Sequence, residues 1–168
     1  MNITFKITSR LLEKIRADLR RRHSFAYERV GFISAGLSFA DGNKVLILAR
    51  DYLPVEDEDY LPDLTVGALL GSEAIRKALQ WSISKGNAVF HVHSHSGIGM
   101  PSFSAIDLHE SSKFMLDFLK VSPMRLHGAL VLSNDLASGL AVFDRNQPCI
   151  PVDSFVEVGC PIKKWSRT

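Results

Sequence analysis

The chain has 168 residues, 46% of them hydrophobic, and a formal net charge of +2. A chain of this length is expected to form a single domain over residues 1–168 that buries about 70% of its unfolded surface. The small charge gives no argument for nucleic-acid binding, and no run approaches the ~20 apolar residues of a membrane span. Met1–Lys6 lacks the apolar run of a signal peptide, and two cysteines do not make a disulfide framework. We therefore expect a cytoplasmic protein without nucleic-acid or membrane partners.

Strand and helix patterns alternate along the chain. Strand patterns occupy residues 2–7, 27–37, 43–54, an apolar run that leads to His93, 125–132, 138–143 and, as an edge strand, 152–158. Helical patterns run from an N-cap at Ser9 to about Arg22, over 72–85, and from Ser104 to Lys120. Asp41-Gly42 is a turn pair between the second and third strands. Helices interleaved with a mixed sheet predict a layered α/β domain.

Two charged segments have both a structural and a functional interpretation. Arg16 and Arg20–Arg22 gather near the end of the first helix, where basic side chains favour the helix dipole. A solvated helix cap is therefore preferred to a partner-binding surface. The acidic segment Glu56–Pro62 is interpreted as a solvated connector, with a substrate-contacting rim as the alternative.

The strongest chemical signal is the pair His93 and His95. Positions i and i+2 of an extended strand place both imidazoles on one face. Apolar Ala88–Phe90 precedes the pair, which is therefore predicted at the C-terminal end of a strand, where α/β folds place ligands. A mobile turn marked by glycine and proline follows, and Ser104-x-x-Asp107 then has the pattern of a serine-capped helix start.

Two imidazoles and one carboxylate, with a fourth position open to water, are the ligand set of a catalytic zinc site. Each part also has a simpler interpretation, because a lone His-x-His is usually a pair of ordinary polar side chains and Ser-x-x-Asp is usually only a helix cap. Their conjunction favours the metal site. His91 offers an earlier pair with His93, but the later pair lies nearer to Ser104. We expect His91 to be a neighbouring strand residue.

The two motifs together resemble the signature of the JAMM, or MPN-plus, zinc metallopeptidases, a family that includes deubiquitinases. That family also carries an upstream glutamate a few residues before a glycine in an apolar run, and Glu28 ahead of Gly31 matches this pattern. The match runs from Glu28 to about residue 143. One departure is Ser96, which stands where the family usually has proline after the second histidine.

The resemblance implies a role for each matched residue. The implied zinc ligands are His93, His95 and Asp107. Glu28 is implied as the general acid/base that takes a proton from water and delivers it to the departing amine, and Ser104 as the group that helps to stabilise the oxyanion. The implied fold is JAB/MPN-like, with a curved mixed sheet flanked by helices in a cytidine-deaminase-like architecture.

The implied activity is zinc-dependent cleavage after the C-terminal glycine of a ubiquitin-like protein, by an isopeptidase or peptidase. The small size resembles prokaryotic members of the family, which implies E1-like and E2-like partners and, in some bacteria, an antiphage conjugation pathway. Two alternatives stay open. One is a hydrolase that processes a sulfur-carrier protein or a small amide, and the other is a non-catalytic MPN-type scaffold.

Overall fold

A nine-stranded mixed sheet forms the centre of the structure, a computed structural model that describes residues 1–22, 26–40, 43–63, 67–122, 124 and 126–167. The strands of these residues are β1 (Asn2–Thr8), β2 (Val30–Ala40), β3 (Lys44–Pro54), β4 (Tyr60–Leu61), β5 (Leu69–Leu70), β6 (Ala88–Ser94), β7 (His127–Leu132), β8 (Ala137–Val142), β9 (Ile150–Pro151), β10 (Ser154–Val158) and β11 (Lys163–Ser166). The helices are α1 (Ser9–Leu19), α2 (Ser72–Lys85) and α3 (Ala105–Val121). The predicted α/β class is confirmed.

The strand order is β11-β10-β1-β3-β2-β6-β7-β8-β9, and β4 and β5 form a separate two-stranded sheet. Strand β6 lies inside the large sheet, antiparallel to β2 and parallel to β7. Strand β1 pairs in parallel with both β3 and β10. The predicted edge position of 152–158 is wrong, because β11 pairs antiparallel with β10 and covers it.

The two faces of the sheet bury separate sets of apolar side chains. One set includes Phe90 and Val92 of β6 together with Leu12 and Ile15 of α1. The other includes Val89 of β6 together with residues of α2 and α3. Because side chains alternate along a strand, His91 and His93 share the face of Val89, against α3. This alternation places the two histidines on the face of the sheet that packs against α3 and not on the face that packs against α1.

Helix α1 begins one residue earlier than predicted and ends about three residues earlier. Its N-cap is Thr8, whose side chain accepts a hydrogen bond from the Leu11 amide, and not Ser9. The Ser9 hydroxyl instead donates to Glu157 at 2.8 Å. The helix ends at Leu19 and not near Arg22: the Arg20 amide still bonds to the Arg16 carbonyl, but the Arg21 amide bonds to the Asp18 carbonyl at 3.0 Å in a tighter terminal turn.

The other boundaries follow the sequence closely. Helix α2 confirms the prediction over 72–85. The bounds of β3, β7 and β8 lie within two residues of the predicted bounds, and β6 contains the predicted apolar run and His93. Strand β2 begins at Val30 rather than 27, so Glu28 precedes the strand. The turn predicted at Asp41-Gly42 lies outside the described residues.

The acidic segment is part of the packed structure and not a solvated connector. Asp57–Asp59 forms a short 3-10 turn. Asp59 is buried and accepts a hydrogen bond from Lys77 of α2 at 2.7 Å. Asp57 pairs with Arg29, which is itself buried, at 2.6 Å. Two of the carboxylates therefore neutralise basic side chains of the fold.

None of the described helices is both long and apolar enough to cross a membrane. Cys149 and Cys160 are free thiols.

Candidate metal centre

The end of β6 places His93 and His95 side by side. His93 is buried, and the strand ends one residue later at Ser94. The His95 amide then donates to the Leu132 carbonyl at 2.9 Å, which extends the pairing with β7 and keeps His95 on the side of His93. The two Nε2 atoms lie 3.2 Å apart.

A capping box at the start of α3 aims Asp107 at the two histidines. Ser104 is the N-cap: its hydroxyl accepts from the Asp107 amide at 3.1 Å, and its own amide donates to Asp107 Oδ2 at 2.7 Å. Asp107 Oδ1 lies 3.4 Å from His93 Nε2, and Oδ2 lies 3.4 Å from His95 Nε2. The predicted cap is confirmed, and the same contacts hold the carboxylate at the centre of the site.

Asp107 is ionised at neutral pH. Its partial burial disfavours the charged form, but hydrogen bonds from His93 and from the Ser104 amide outweigh this and hold the pKa of Asp107 well below its usual range. A carboxylate beside two imidazoles offers the mixed oxygen and nitrogen donors that zinc accepts.

The spacing of these donor atoms fits a tetrahedral ion. Zinc bonds of about 2.0–2.1 Å place neighbouring donors of a tetrahedron about 3.3–3.4 Å apart. Here the two imidazole nitrogens lie 3.2 Å apart, and each lies 3.4 Å from a different oxygen of the Asp107 carboxylate. Three protein donors leave the fourth position for water or substrate. His93, His95 and Asp107 therefore fit a catalytic type of zinc site.

Glu28 lies next to the two histidines. Its ligand atom and those of His93 and His95 all lie within 4.8 Å of one another. That distance suits contact through one water, which is the reach required of a general base. The structure thus brings Glu28 to the two histidines across 65 residues of sequence.

Neighbouring backbone and side chains fix the position of Glu28. Its amide donates to the Gly67 carbonyl at 2.9 Å, and a Cβ at Gly67 would lie only 2.7 Å from Glu28 Oε2. The next residue, Arg29, is buried and donates to the Arg21 carbonyl at 2.8 Å as well as to Asp57. The Val30 amide donates to the Tyr60 hydroxyl at 2.9 Å. Three consecutive residues are thus held by four separate partners.

His91 is a wall of the site and not one of the close donors. Its ring stacks on Phe114 of α3, with the ring centroids 5.5 Å apart. Burial lowers the pKa of His91 to about 3, so the imidazole is neutral. The structure brings together the later histidine pair that we preferred from the sequence.

All five residues singled out in the sequence line one cavity of about 530 Å³. They are Glu28, His93, His95, Ser104 and Asp107. The rest of the wall is largely apolar and includes Val30, Leu70 and Phe114. The Ser104 hydroxyl accepts the bond that caps α3, so its hydrogen is available to donate to a substrate oxygen.

The loop between His95 and Ser104 is anchored to the turn after β7 and to β8. The Asn134 amide donates to the Gly97 carbonyl at 3.0 Å, and the Gly99 amide donates to Asp135 at 2.8 Å. The Ser138 hydroxyl donates to the Pro101 carbonyl at 2.6 Å. Gly97 and Gly99 have φ values of 115° and 94°, which side-chain-bearing residues rarely adopt. These three bonds oppose the mobility expected from the glycine content.

Several residues that shape the site were not identified from the sequence. Gly67, Arg29 and Tyr60 position Glu28 through contacts with segments that are distant along the chain. No local motif signals them. The interpretation of Arg16 as part of a solvated helix cap is wrong, because its Nε and Nη2 atoms are buried.

Comparisons with known proteins do not assign this chain to a family. No family model and no curated protein sequence matches the chain. Among solved structures, the Trichoplax adhaerens STIL N-terminal domain aligns with 80% of this chain and 40% of its own length, at 9% sequence identity and a TM-score of 0.47. This chain therefore spans about two fifths of that protein. A likeness at this level supports neither a family nor a function.

Proposed function

We propose that this protein is a zinc-dependent hydrolase of the JAMM type that cleaves an amide bond after the C-terminal glycine of a ubiquitin-like protein. The observation that carries the proposal is the pair of imidazole nitrogens 3.2 Å apart, each 3.4 Å from one oxygen of the Asp107 carboxylate, with a Glu28 ligand atom within 4.8 Å of the histidine ligand atoms. The JAB/MPN-like architecture is part of the same proposal. It is supported by the mixed α/β sheet, in which β6 carries His93 and α3 carries Asp107.

When bound, zinc lowers the pKa of a coordinated water to about 7 and polarises a substrate carbonyl. Glu28 accepts the proton of the attacking water and passes it to the departing amine. The Ser104 hydroxyl donates a hydrogen bond to the carbonyl oxygen as negative charge develops there. His93 and Asp107 are held by β6 and by the capping box, so the donors need little rearrangement.

The substrate and its pathway are proposed on the resemblance to the JAMM family. A ubiquitin-like protein or its conjugate is the substrate, and E1-like and E2-like proteins of one conjugation pathway, such as a bacterial antiphage pathway, are the partners. A cytoplasmic location agrees with such a pathway. The alternative substrate, a sulfur-carrier protein or small amide, differs in the group that leaves.

The first test measures zinc per chain in the purified protein and in two variants, His95→Ala and Asp107→Ala. We expect about one zinc per wild-type chain and a loss in both variants, because each variant removes one of three donors. His109→Ala is the matched control, because His109 is exposed on α3 and should leave the zinc content unchanged. A wild-type chain that takes up no supplied zinc would contradict the proposal and favour the scaffold alternative.

The second test substitutes the proposed acid/base without removing a metal donor. We expect Glu28→Gln to keep its zinc and its thermal stability, and to lose cleavage of a ubiquitin-like fusion by at least about 100-fold. Mass spectrometry of the products identifies the bond that is cut and separates peptide from isopeptide linkages. An unchanged cleavage rate would refute the role of Glu28.

A further inference from the structure

The large cavity continues past the candidate metal donors along β6. His91 lies two residues before His93 on the same face of that strand, and the centroids of the two rings are 5.6 Å apart. Ser111 of α3 lies one helical turn after Asp107 and one turn before Phe114, so all three share a face of the helix. We define the inner pocket as the part of the cavity lined by His91, Ser111 and Phe114. It lies one two-residue strand repeat, roughly 7 Å, from the metal donors.

His91 can form a hydrogen bond in the inner pocket only through Nε2. Its Nδ1 atom is buried, and neither ring nitrogen has a hydrogen-bond partner among the described residues. A proton on Nδ1 would therefore be a buried donor without an acceptor, which is rare in folded proteins. The proton of the neutral ring lies on Nε2 instead, from which it can be donated to a ligand.

Ser111 adds a hydroxyl that makes no bond within the fold. Only 2% of the residue is exposed, yet it lines the cavity, and its Oγ has no hydrogen-bond partner among the described residues. A serine inside a helix commonly bonds back to a carbonyl of the preceding turn, as the neighbouring Ser112 does to His109 at 2.7 Å. Because Ser111 makes no such bond, its hydroxyl can donate to or accept from a ligand.

The wall of the cavity favours an uncharged ligand. It includes the apolar side chains of Val30 and Ile75, which cannot replace the hydration of a charged group. Lys113 also lines the cavity, but its ammonium group is already paired with Glu110 at 2.7 Å. The ionised Asp107 repels a further anion.

We propose that His91 and Ser111 form a subsite that binds a carboxamide group. The carbonyl oxygen of a carboxamide accepts from His91 Nε2, and its NH₂ group donates to Ser111 Oγ, so both buried groups gain a partner at once. A carboxylate has no hydrogen to donate, and an ammonium group has no lone pair to accept. A carboxamide is therefore the uncharged group that carries an acceptor and a donor on separate atoms.

Two sources can bring this group to the inner pocket. One is the side chain of an asparagine or glutamine beside the scissile bond, since a side chain of this length spans most of the roughly 7 Å between the metal donors and His91. The other is a small amide substrate. The link to catalysis rests on the proposed hydrolase function, whereas binding of the carboxamide does not.

Binding of small probes tests the subsite without hydrolysis. The probes are isobutyramide, the ketone of the same shape, 3-methyl-2-butanone, which lacks the donor, and isobutyrate, which carries a charge. Full-length protein is titrated after metal chelation, so that no probe binds zinc, and backbone amide shifts are followed by NMR. We expect isobutyramide to shift Ser111 and Phe114 and to bind at least about fivefold more tightly than the ketone or isobutyrate.

Substitutions assign this binding to the two polar side chains. Ser111→Ala removes the hydroxyl without adding volume and keeps a good helix former, and it should weaken isobutyramide binding about fivefold. His91→Phe keeps a ring that can stack on Phe114 but removes Nε2, and we expect a similar loss. Ser112→Ala is the matched control, because Ser112 is the next residue of α3 and its hydroxyl already bonds to the His109 carbonyl.

Cleavage of fusions distinguishes the two sources. Glutamine, methionine and glutamate are placed in turn before the terminal glycine and after the scissile bond of a ubiquitin-like fusion. Faster cleavage with glutamine, lost in Ser111→Ala while the zinc content stays unchanged, assigns the subsite to a substrate side chain. Equal cleavage of all the fusions, with isobutyramide binding intact, assigns it to a small amide.

Equal affinities for isobutyramide and the ketone, or an equal effect of Ser111→Ala and Ser112→Ala, would overturn the proposal. Failure of the hydrolase function gives a different result. A chain that takes up no zinc but binds isobutyramide through Ser111 retains the carboxamide subsite and loses its link to catalysis.

Discussion

At the scale of single residues, Asp107 and Ser104 form both the N-cap of α3 and part of the candidate metal site. The hydrogen bonds that start α3 also set the carboxylate 3.4 Å from each imidazole nitrogen. Helix capping and metal binding therefore use one conformation of the same side chain. Glu28 has no such local device, and its position depends on contacts from elsewhere in the chain.

The contact between Glu28 and Gly67 predicts a selective effect of one methyl group. A Cβ at Gly67 would meet the end of the Glu28 side chain at 2.7 Å. Because that side chain is flexible, we expect Gly67→Ala to change the melting temperature by less than about 3 °C but to displace the carboxylate. Cleavage should fall at least about tenfold with zinc content unchanged. Wild-type activity in this variant would show that the position of Glu28 is not critical.

His127 predicts a loss of stability in mild acid. Burial lowers its pKa to about 4, and its Nδ1 accepts from the Val89 amide at 3.1 Å. The unfolded chain, with a histidine pKa of about 6.5, binds more protons than the folded chain between these two values. Stability is therefore full above pH 6.5 and falls as the pH drops toward 4. His127 alone should cost about 2 kcal/mol between pH 7 and pH 4.5.

Urea unfolding of the metal-free protein at several pH values measures this loss. His127→Asn keeps an acceptor for the Val89 amide but does not titrate. We expect this variant to be less stable at pH 7 and to lose about 2 kcal/mol less between pH 7 and 4.5. Parallel pH curves for the two proteins would argue against a neutral His127.

At the scale of elements, the acidic segment holds the entry to β2. Arg29 is 2% exposed and pairs with Asp57, while Tyr60 binds the Val30 amide. These bonds connect the 3-10 turn and β4 to the two residues that follow Glu28. The acidic segment thus holds the backbone next to Glu28, the proposed acid/base, without contacting the reacting atoms itself.

This support predicts a coupled loss of stability and activity. Asp57→Asn removes the charged partner of a buried guanidinium, and we expect the free energy of unfolding to fall by about 1–3 kcal/mol. Cleavage should also fall, with zinc still bound. Glu58→Gln is the matched control, because Glu58 is an exposed carboxylate of the same turn. If the two variants have equal stability, the Arg29 pair is not a support.

Local sequence patterns predicted the positions of the candidate metal donors better than they predicted the contacts around the site. The alternation along β6 and the Ser104 cap involve residues within four positions of one another, so the sequence carries their geometry. Arg16 instead lies beside apolar residues of β7, β10 and β11, and the inner position of β10 depends on its pairing with β11. Such long-range contacts have no periodic pattern in the chain, which is why these two predictions were wrong.

At the scale of the whole molecule, the large sheet connects distant parts of the chain. Strand β6 carries the histidines and has a sheet neighbour on each side. Helices α2 and α3 pack on the histidine face, and α1 packs on the other. An interior strand is held from both edges, so the histidine donors lie on or directly after a rigid part of the fold.

The parallel pairing of β1 with β10 has a consequence for synthesis on the ribosome. The Ile3 amide bonds to Asp153, 150 residues further along the chain. Until β10 has emerged from the ribosome, one edge of β1 stays unpaired and its apolar side chains Ile3 and Phe5 stay partly uncovered. Such an edge can pair with other nascent chains. A chaperone that shields this first strand during translation would therefore raise the yield of active protein.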